Sequence, residues 1–297
     1  MNNIKSVFSV KDLENLSGIK AHTIRIWEKR YAIFSPDRIE NNVRCYNSED
    51  LKKVLNIAFL NNFGYKISKI AALGELEIKE LVNQIYSDKT DASFAIAQFK
   101  LAMFKFDAQL FQNTYDQLAQ NKSFEAIFFD VFLPLLEEIG LLWQTETLKP
   151  IHEHFISSLL RQKLFTEIEL QQKKVDKETS EIFVLFLPQQ EIHELGILFV
   201  NYLLLKQNKH VIFLGDNVLV DDLKEIVKLF DKVVFVSYFT VQPEPEKIDE
   251  YLAHFSDFIL SHSMNEFWVL GKQAKFSNMT FKNIRTFSGI QEMMLLL

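Results

Sequence analysis

The hydrophobic pattern of this 297-residue chain changes character near residue 181. Before that point, apolar residues recur every three or four positions, which predicts amphipathic helices. After it, short continuous apolar runs alternate with helical patterns, which predicts a doubly wound parallel sheet of flavodoxin-like (Rossmann-like) order. The pattern therefore predicts a multidomain chain with an α part followed by an α/β part.

The α/β part contains five candidate strands, which are short segments that alternate with amphipathic helical patterns. They lie at residues 182–187, 211–214, 233–236, 267–270 and 284–287. Helices are predicted near residues 195–207, 219–230, 245–261 and 289–297, with a less regular segment after Gly271.

The N-terminal segment predicts two short helices joined by a turn. Ser9 is a candidate N-cap for the first helix, and Gly18 ends it. The second helix begins near Ala21 and exposes polar and basic side chains, namely His22, Arg25, Lys29 and Arg30. This arrangement is a helix-turn-helix, whose second helix approaches base edges in the major groove of DNA. A short hairpin is predicted after Pro36, and its arginines are candidates for phosphate contacts.

Charge is distributed unevenly along the chain. Up to Ala72 the chain holds 12 Lys and Arg against 7 Asp and Glu, whereas the remainder holds 21 against 32. A basic N-terminal segment attached to an acidic remainder favours a nucleic-acid contact that is confined to the N-terminus.

The composition excludes several classes of protein. The single cysteine, Cys45, excludes a disulfide framework and a cysteine-cluster zinc site, and it is typical of a reducing cytoplasm. The eight glycines are dispersed, which excludes a P-loop and a glycine-rich dinucleotide loop. The first residues lack the apolar core of a signal peptide, and charged residues and a proline break the most apolar long segment, 127–143. We therefore expect a cytoplasmic protein without a membrane partner.

The middle of the chain predicts a linker helix at residues 76–91 and an antiparallel four-helix bundle at 92–175. Three bundle helices are predicted at residues 92–106, 107–120 and 124–143, and Pro150 opens the fourth. Pro134 lies inside the third helix, where it should kink the helix or remove one backbone hydrogen bond. The N-terminal domain at 1–75 and the α/β domain at 180–297 complete the predicted organisation.

Trp143, Glu153 and His154 are predicted to lie at the same end of the bundle, because a short connection joins their two helices. A tryptophan, a carboxylate and an imidazole together could line a pocket for a flat or nucleoside-like ligand. Alternatively, Trp143 closes the end of the bundle and the two polar side chains are solvated. The spacing alone favours the second hypothesis.

Glu191 and His193 lie in a predicted strand-to-helix loop at the carboxyl edge of the sheet, where open α/β sheets bind ligands. A histidine in such a loop can bind a metal with one ring nitrogen while a carboxylate holds the other. Position alone favours a loop histidine that has no ligand role.

The N-terminal motifs TIRIWEKRY at 23–31, PDR at 36–38, NVR at 42–44 and Tyr46 resemble the MerR family of winged-helix regulators. The resemblance implies a dimer that touches a near-palindromic DNA operator with a helix and a wing. Val43 stands where glycine is common in the family, and a helix-turn-helix fold used for protein contacts is the alternative. The expected DNA-binding residues are His22, Thr23, Arg25, Trp27, Arg30, Arg38, Asn42, Arg44 and Tyr46.

The motif IGLLW at 139–143, followed by Glu153 and His154, resembles the cap bundle of cobalamin-binding domains. EIHELG at 191–196, Ser237 with Phe239, and Gly271 resemble the motifs of the α/β base of such domains. The resemblance implies that His193 is the lower axial ligand of cobalt and that Glu191 orients it. It also implies that Gly196, Ser237, Phe239 and Gly271 lie beside the nucleotide tail, and that cap residues contact the upper group, namely Trp143, Glu153 and His154.

The order of head, cap and base resembles that of the light-sensing carotenoid-gene repressors. Phe239 replaces a leucine of the cobalamin pattern, and Lys272 replaces the second residue of a double glycine. Gln144 stands where light-sensing members have a histidine that captures cobalt after photolysis. Because an amide is a poor cobalt ligand, we expect no stable bis-histidine adduct on illumination.

These features predict a transcriptional regulator rather than an enzyme. Its operator affinity would be set by adenosylcobalamin or methylcobalamin bound between cap and base, through linkage between ligand binding and a homodimer or homotetramer. One alternative is a MerR-type regulator whose cobalamin-independent sensor domain binds another ligand or a partner protein. A third hypothesis is a corrinoid-dependent methyltransferase module.

Overall fold

The computed structural model of the protein describes residues 7–39, 43–89, 92–145, 147–173, 181–261, 264–277 and 279–297. The chain divides into two compact units, Met1–Leu160 and Arg161–Leu297. The first unit contains both the N-terminal head and most of the helical bundle, whereas the second contains the sheet. The four-segment organisation predicted from the sequence stays a prediction.

The N-terminal head contains the predicted helix-turn-helix and hairpin. Its elements are α1 (Val10–Ser17), α2 (Ala21–Tyr31), β1 (Asp37–Ile39), β2 (Val43–Cys45), α3 (Ser48–Asn62) and α4 (Ile67–Ile70). Ser9 caps α1 through a reciprocal pair of hydrogen bonds with Asp12, which satisfies donors that the first turn leaves open. Gly18 ends α1 in the left-handed conformation that glycine adopts without strain. Strands β1 and β2 pair in antiparallel register and form the wing.

The helices that follow the head are α5 (Glu75–Lys89), α6 (Ala92–Lys105), α7 (Ala108–Ala119), α8 (Phe124–Ile127), α9 (Leu133–Gln144) and α10 (Pro150–Gln172). Their bounds agree closely with the predicted bundle helices. Helix α5 lies where the linker helix was predicted at 76–91, and it begins at Glu75 and ends at Lys89. Phenylalanines fill the bundle core, and the ring of Phe99 lies 4.8 Å from that of Phe111 and 5.9 Å from that of Phe132.

The third predicted bundle helix is interrupted before Pro134. Residues Phe128–Phe132 form a π turn, in which the N–H of Leu133 bonds to the carbonyl of Phe128. Pro134 then occupies the first turn of α9, where its missing N–H costs least. The predicted disruption of the helix at Pro134 is confirmed, and it takes the form of a π turn.

The second unit is a five-stranded parallel sheet flanked by helices. Its elements are β3 (Ile182–Pro188), α11 (Leu195–Lys206), β4 (His210–Val218), α12 (Lys224–Leu229), β5 (Val233–Tyr238), α13 (Ile248–Phe255), β6 (Glu266–Leu270), β7 (Ile284–Thr286) and α14 (Ile290–Met294). The strand order is β4-β3-β5-β6-β7, and every pairing is parallel. All five predicted strands and the flavodoxin-like order are confirmed.

The sheet positions one crevice for a ligand. Strand β3 is fully buried and lies between β4 and β5 in the sheet. The chain passes from β3 to β4 on one side, and the next connection crosses to β5 on the other side. The order therefore reverses at β3, and the loops after β3 and β5 meet at this switch point. Aromatic packing fixes the sheet beneath them, since the rings of Phe255 and Phe267 lie 3.8 Å apart. Among the described residues, no helix is both long enough and apolar enough to cross a membrane.

Candidate functional site

The loop between β3 and α11 places Glu191 and His193 side by side. Glu191 is 1% exposed, whereas the side chain of His193 is 43% exposed. One carboxylate oxygen of Glu191, Oε1, accepts a hydrogen bond from the backbone N–H of His193 at 2.9 Å. The same oxygen lies 2.6 Å from Nδ1 of the His193 ring. The predicted orientation of His193 by Glu191 is therefore present in the structure.

The other carboxylate oxygen of Glu191 is held by the loop that follows β5. Its Oε2 accepts hydrogen bonds from three consecutive backbone N–H groups, those of Thr240 at 3.1 Å, Val241 at 2.7 Å and Gln242 at 2.8 Å. Burial opposes ionisation, but the bonds from the His193 ring and from these amides outweigh it and lower the pKa of Glu191 to about 2. Glu191 is thus a carboxylate that joins the two loops of the switch point.

The ionised state of Glu191 determines the tautomer of His193. An ionised carboxylate only accepts hydrogen bonds, so the proton of a neutral ring lies on Nδ1 and the lone pair lies on Nε2. Metal-ligating histidines in proteins show this arrangement, in which a carboxylate fixes the ring and raises the basicity of the ligating nitrogen. The donor chemistry of the half-exposed His193 therefore fits a residue that would hold a cobalt ion through Nε2.

Two glycines near His193 are required by close contacts. A Cβ atom at Gly271 would lie 2.3 Å from the carbonyl oxygen of Phe239, and Gly271 has a φ of +99°. A Cβ atom at Gly196 would lie 2.9 Å from the ring of Tyr238. The ring of Tyr238 thus occupies the space over Gly196, and a ligand tail can approach this backbone only when the ring turns away.

The residues predicted to lie beside the nucleotide tail differ in their burial and contacts. Ser237 is buried, and its Oγ donates a hydrogen bond to the carbonyl of Phe186 at 2.9 Å. The side chain of Phe239 is fully buried in the sheet core. Lys272 is exposed at the start of a 3₁₀ turn, Lys272–Phe276. Tyr238 was not among the predicted residues, although its position between Ser237 and Phe239 on a strand assigns it to the other face of the sheet.

The bundle residues Trp143 and Glu153 are in contact. The indole Nε1 of Trp143, at the end of α9, donates a hydrogen bond to Oε2 of Glu153, in the first turn of α10, at 2.8 Å. His154 follows and is exposed. Trp143 is 39% exposed, and the ligand role of these three residues stays a prediction. The Gln144 side chain lies outside what the structure describes.

The second helix of the head presents a polar surface. His22, Arg25 and Arg30 are exposed on α2, and Arg38 is exposed on β1. Thr23 lies beside His22, with its hydroxyl 3.4 Å from the ring Nε2. These residues match the predicted DNA-facing surface, whereas Asn42 lies outside the described residues.

Three predicted DNA-binding residues have packing roles in the head. Trp27 and Tyr46 are buried, so their side chains pack in the core of the head. Arg44 is held by Glu28, since its Nε lies 3.0 Å from Oε1 of Glu28. The hydroxyl of Tyr46 donates to Oε2 of the same carboxylate at 3.0 Å. Sequence reasoning missed Glu28, because its partners lie 16 and 18 residues later in the chain.

Two family models match the chain. The model described as MerR HTH family regulatory protein matches residues 8–75, and the model described as B12 binding domain matches residues 95–166. The first match covers the head and the second covers the bundle.

Two curated relatives are transcriptional repressors of Myxococcus xanthus. The HTH-type transcriptional repressor CarH is 25% identical over 218 residues, which are 71% of this chain and 72% of CarH. The HTH-type transcriptional repressor CarA is 26% identical over 157 residues, which are 52% of this chain and 50% of CarA.

A solved structure is similar in fold to about two thirds of this chain. The monomethylamine corrinoid protein of Methanosarcina barkeri superposes with a TM-score of 0.56 over 67% of this chain and 94% of that protein, at 13% identity. This likeness concerns the fold alone. The two domain matches and the two repressors confirm the predicted resemblance: residues 8–75 match the MerR HTH family, and residues 95–166 match the B12 binding domain.

Proposed function

We propose that this protein represses transcription from a DNA operator and that bound cobalamin sets its operator affinity. The observation that carries the proposal is the Glu191–His193 pair, because its geometry prepares one imidazole nitrogen for cobalt in a chain with a DNA-binding head. The names of the two relatives support repression rather than activation.

In this proposal His193 would hold the cobalt of cobalamin through Nε2, and Glu191 fixes the tautomer of His193. Adenosylcobalamin or methylcobalamin, when bound, would supply a cobalt ion that exchanges ligands. Trp143, Glu153 and His154, within the segment that matches the B12 binding domain, would contact cobalamin. Gly196, Ser237 and Gly271 are assigned to the nucleotide tail, for which the Tyr238 ring has to move.

The DNA contacts are assigned to α2 and the wing. His22, Thr23 and Arg30 of α2 face the major groove, while Arg25 of α2 and the wing residues Arg38 and Arg44 contact phosphates. A homodimer or homotetramer would place two such heads on the two halves of a near-palindromic operator. A ligand that binds one oligomeric state more tightly than another then changes operator affinity by linkage.

The experiment that tests cobalamin binding uses the full chain. Protein mixed with adenosylcobalamin or methylcobalamin is passed through gel filtration, and we expect a coloured protein peak. His193→Ala should shift the absorption spectrum because it removes the axial nitrogen. His254→Ala is the matched control, since His254 is an exposed histidine paired with Asp221 outside the site. A colourless peak of the unaltered protein at high ligand concentration would refute the proposal and favour a cobalamin-independent sensor.

Operator binding distinguishes the proposed repressor from a corrinoid methyltransferase module. We expect the purified protein to bind a specific operator fragment and to change its affinity when cobalamin is added. Methyl transfer from methylcobalamin to an acceptor, without any operator binding, is the result that would favour the methyltransferase hypothesis.

A further inference from the structure

A buried lysine joins the DNA-binding head to the helical bundle within the first unit. The side chain of Lys100, on α6, is only 9% exposed. Its Nζ donates a hydrogen bond to the carbonyl of Leu16 at 2.8 Å and forms an ion pair with Oε2 of Glu138 at 2.6 Å. A buried ammonium group is unfavourable unless it is paired and hydrogen-bonded, so these two partners define the position of Lys100.

The Leu16 carbonyl lies at the C-terminal end of α1, next to the turn of the helix-turn-helix. The last carbonyls of a helix lack partners within the helix and carry partial negative charge, which a cation stabilises. Helix α1 has no basic residue in its own last turn. Lys100, on bundle helix α6, supplies this cation. The carbonyl that it contacts lies just before Gly18, where the chain turns towards α2.

A second contact joins α1 to the connection between α9 and α10. The side-chain amide of Asn15 donates to Oγ1 of Thr147 at 3.0 Å, and Thr147 is fully buried. The hydroxyls of Thr145 and Thr147 lie 3.0 Å apart. The backbone N–H of Thr147 also bonds to the carbonyl of Leu142 at 3.1 Å. The connection is therefore fixed to both α9 and α1.

The elements that hold α1 also carry the Trp143–Glu153 pair. Glu138 and Trp143 lie on the same helix, α9, and Thr147 lies between Trp143 and Glu153 in the chain. A shift of α9 or of its connection to α10 would therefore change both contacts to α1. Glu138 is 43% exposed and borders a groove of about 370 Å³ between the turn after α1 and the bundle, so its carboxylate can be hydrated when the ion pair opens.

We infer that Lys100 is a positioning residue that couples ligand occupancy at the Trp143–Glu153 end of the bundle to the orientation of the helix-turn-helix in the same chain. The inference rests on the proposed function, since it concerns how the cobalamin signal reaches the DNA-binding head. Coupling runs through one buried ion pair and one threonine contact within a single chain.

A nearby ion pair provides a matched control. Lys105 is also on α6, and its Nζ lies 2.6 Å from Oε1 of Glu49 on α3 of the head. This pair likewise joins the bundle to the head, but Lys105 and Glu49 are 26% and 61% exposed. Neither residue contacts α1 or α9 through this pair, so its loss should leave the proposed route intact.

The experiment measures operator affinity of the full chain with and without adenosylcobalamin, by fluorescence anisotropy. We expect Lys100→Met to reduce the ratio of the two dissociation constants at least about fivefold, which is the lower end of typical allosteric couplings. Lys105→Met should keep the ratio of the unaltered protein. Both variants should bind cobalamin normally by absorption spectroscopy. A ratio in Lys100→Met equal to that of the unaltered protein would overturn the inference.

Two further measurements keep the inference testable if Lys100→Met folds poorly. Thr147→Val preserves side-chain volume and removes the acceptor of the Asn15 bond, and it should also reduce the ratio. In the absence of cobalamin, amide hydrogen exchange of residues 15–20 should accelerate in Lys100→Met and in Thr147→Val, but not in Lys105→Met. Unchanged exchange there, with an unchanged ratio, contradicts the inference. A ratio of one in the unaltered protein would instead refute the proposed function itself.

Discussion

Glu28 holds the wing of the DNA-binding head through Arg44. The Nε atom of Arg44, on β2, lies 3.0 Å from Oε1 of Glu28 on α2, and the hydroxyl of Tyr46 bonds to the second oxygen of the same carboxylate. One side chain thus fixes the angle between the helix and the hairpin that are proposed to grip DNA together.

Glu28→Gln should loosen this junction. The change weakens two hydrogen bonds to a charged group, so we expect a loss of about 1–3 kcal/mol in the free energy of unfolding and about a tenfold loss of operator affinity. Urea unfolding and fluorescence anisotropy measure the two effects. Glu49→Gln, in an exposed pair, should change stability by less than about 0.5 kcal/mol. If Glu28→Gln and Glu49→Gln had equal effects, the proposed role of Glu28 in fixing the helix and the hairpin would be contradicted.

Arg25→Ala should weaken operator binding and flatten its dependence on salt. Arg25 is exposed on α2, and each phosphate contact that is lost lowers the slope of log affinity against log salt concentration by about 1. Titrations at several salt concentrations measure the slope. Arg285→Ala, in the α/β unit, should leave it unchanged. An unaltered slope for Arg25→Ala would remove Arg25 from the DNA interface.

Stability should fall in acid through Glu191. Its pKa is about 2 in the folded protein, below the ordinary value of 4.5. Because the folded-state pKa is the lower one, its contribution is fully present above pH 4.5 and is lost as the pH falls from 4.5 towards 2. The shift corresponds to roughly 3 kcal/mol.

Urea unfolding between pH 3 and pH 7 tests this acid dependence. Glu191→Gln should be less stable at neutral pH and should show a flatter pH profile. The matched control is Glu292→Gln, because the lowered pKa of Glu292 arises at an exposed position from bonds to Ser288. Parallel profiles for Glu191→Gln and the unaltered protein would contradict the assigned role of the carboxylate.

Gly271→Ala should be strongly destabilising. The added Cβ would lie 2.3 Å from the backbone oxygen of Phe239, and neither backbone segment can yield without disturbing β5 or β6. We expect a loss above about 3 kcal/mol, because a backbone clash adds to the strain of a positive φ. Gly215→Ala isolates the strain, since Gly215 has a φ of +85° with nothing within 4 Å of its added Cβ. Gly215→Ala should lower the free energy of unfolding by only about 1–2 kcal/mol. Equal losses in the two variants would show that the protein relieves the clash at residue 271.

The sequence predicted features that depend on neighbouring residues in the chain. The cap at Ser9, the break at Gly18 and the orientation of His193 by Glu191 all involve residues two to four positions apart. Strands β3, β5 and β6 were predictable because residues buried on both faces of a sheet form continuous apolar runs.

The remaining features depend on tertiary contacts that a periodic pattern does not encode. Lys100 looks like an ordinary surface lysine in the sequence, yet it bonds to a carbonyl 84 residues earlier. Glu28 has its partners on another element, and Tyr238 covers a glycine 42 positions away. Periodicity indicates which face of an element is buried and leaves open which atoms meet there.

The π turn at Phe128–Phe132 acts as a one-residue insertion that sets the rotational phase of α9. Each residue of an α-helix turns the chain by about 100°, so if every residue of the turn were kept but wound as regular α-helix, the rest of α9 would be rotated by about that angle. Glu138 would then turn away from Lys100, and Trp143 would turn away from Glu153. The alignment of the proposed sensor pair with the proposed link to the DNA-binding head therefore depends on the length of this turn, and not only on the identity of the residues that make the contacts.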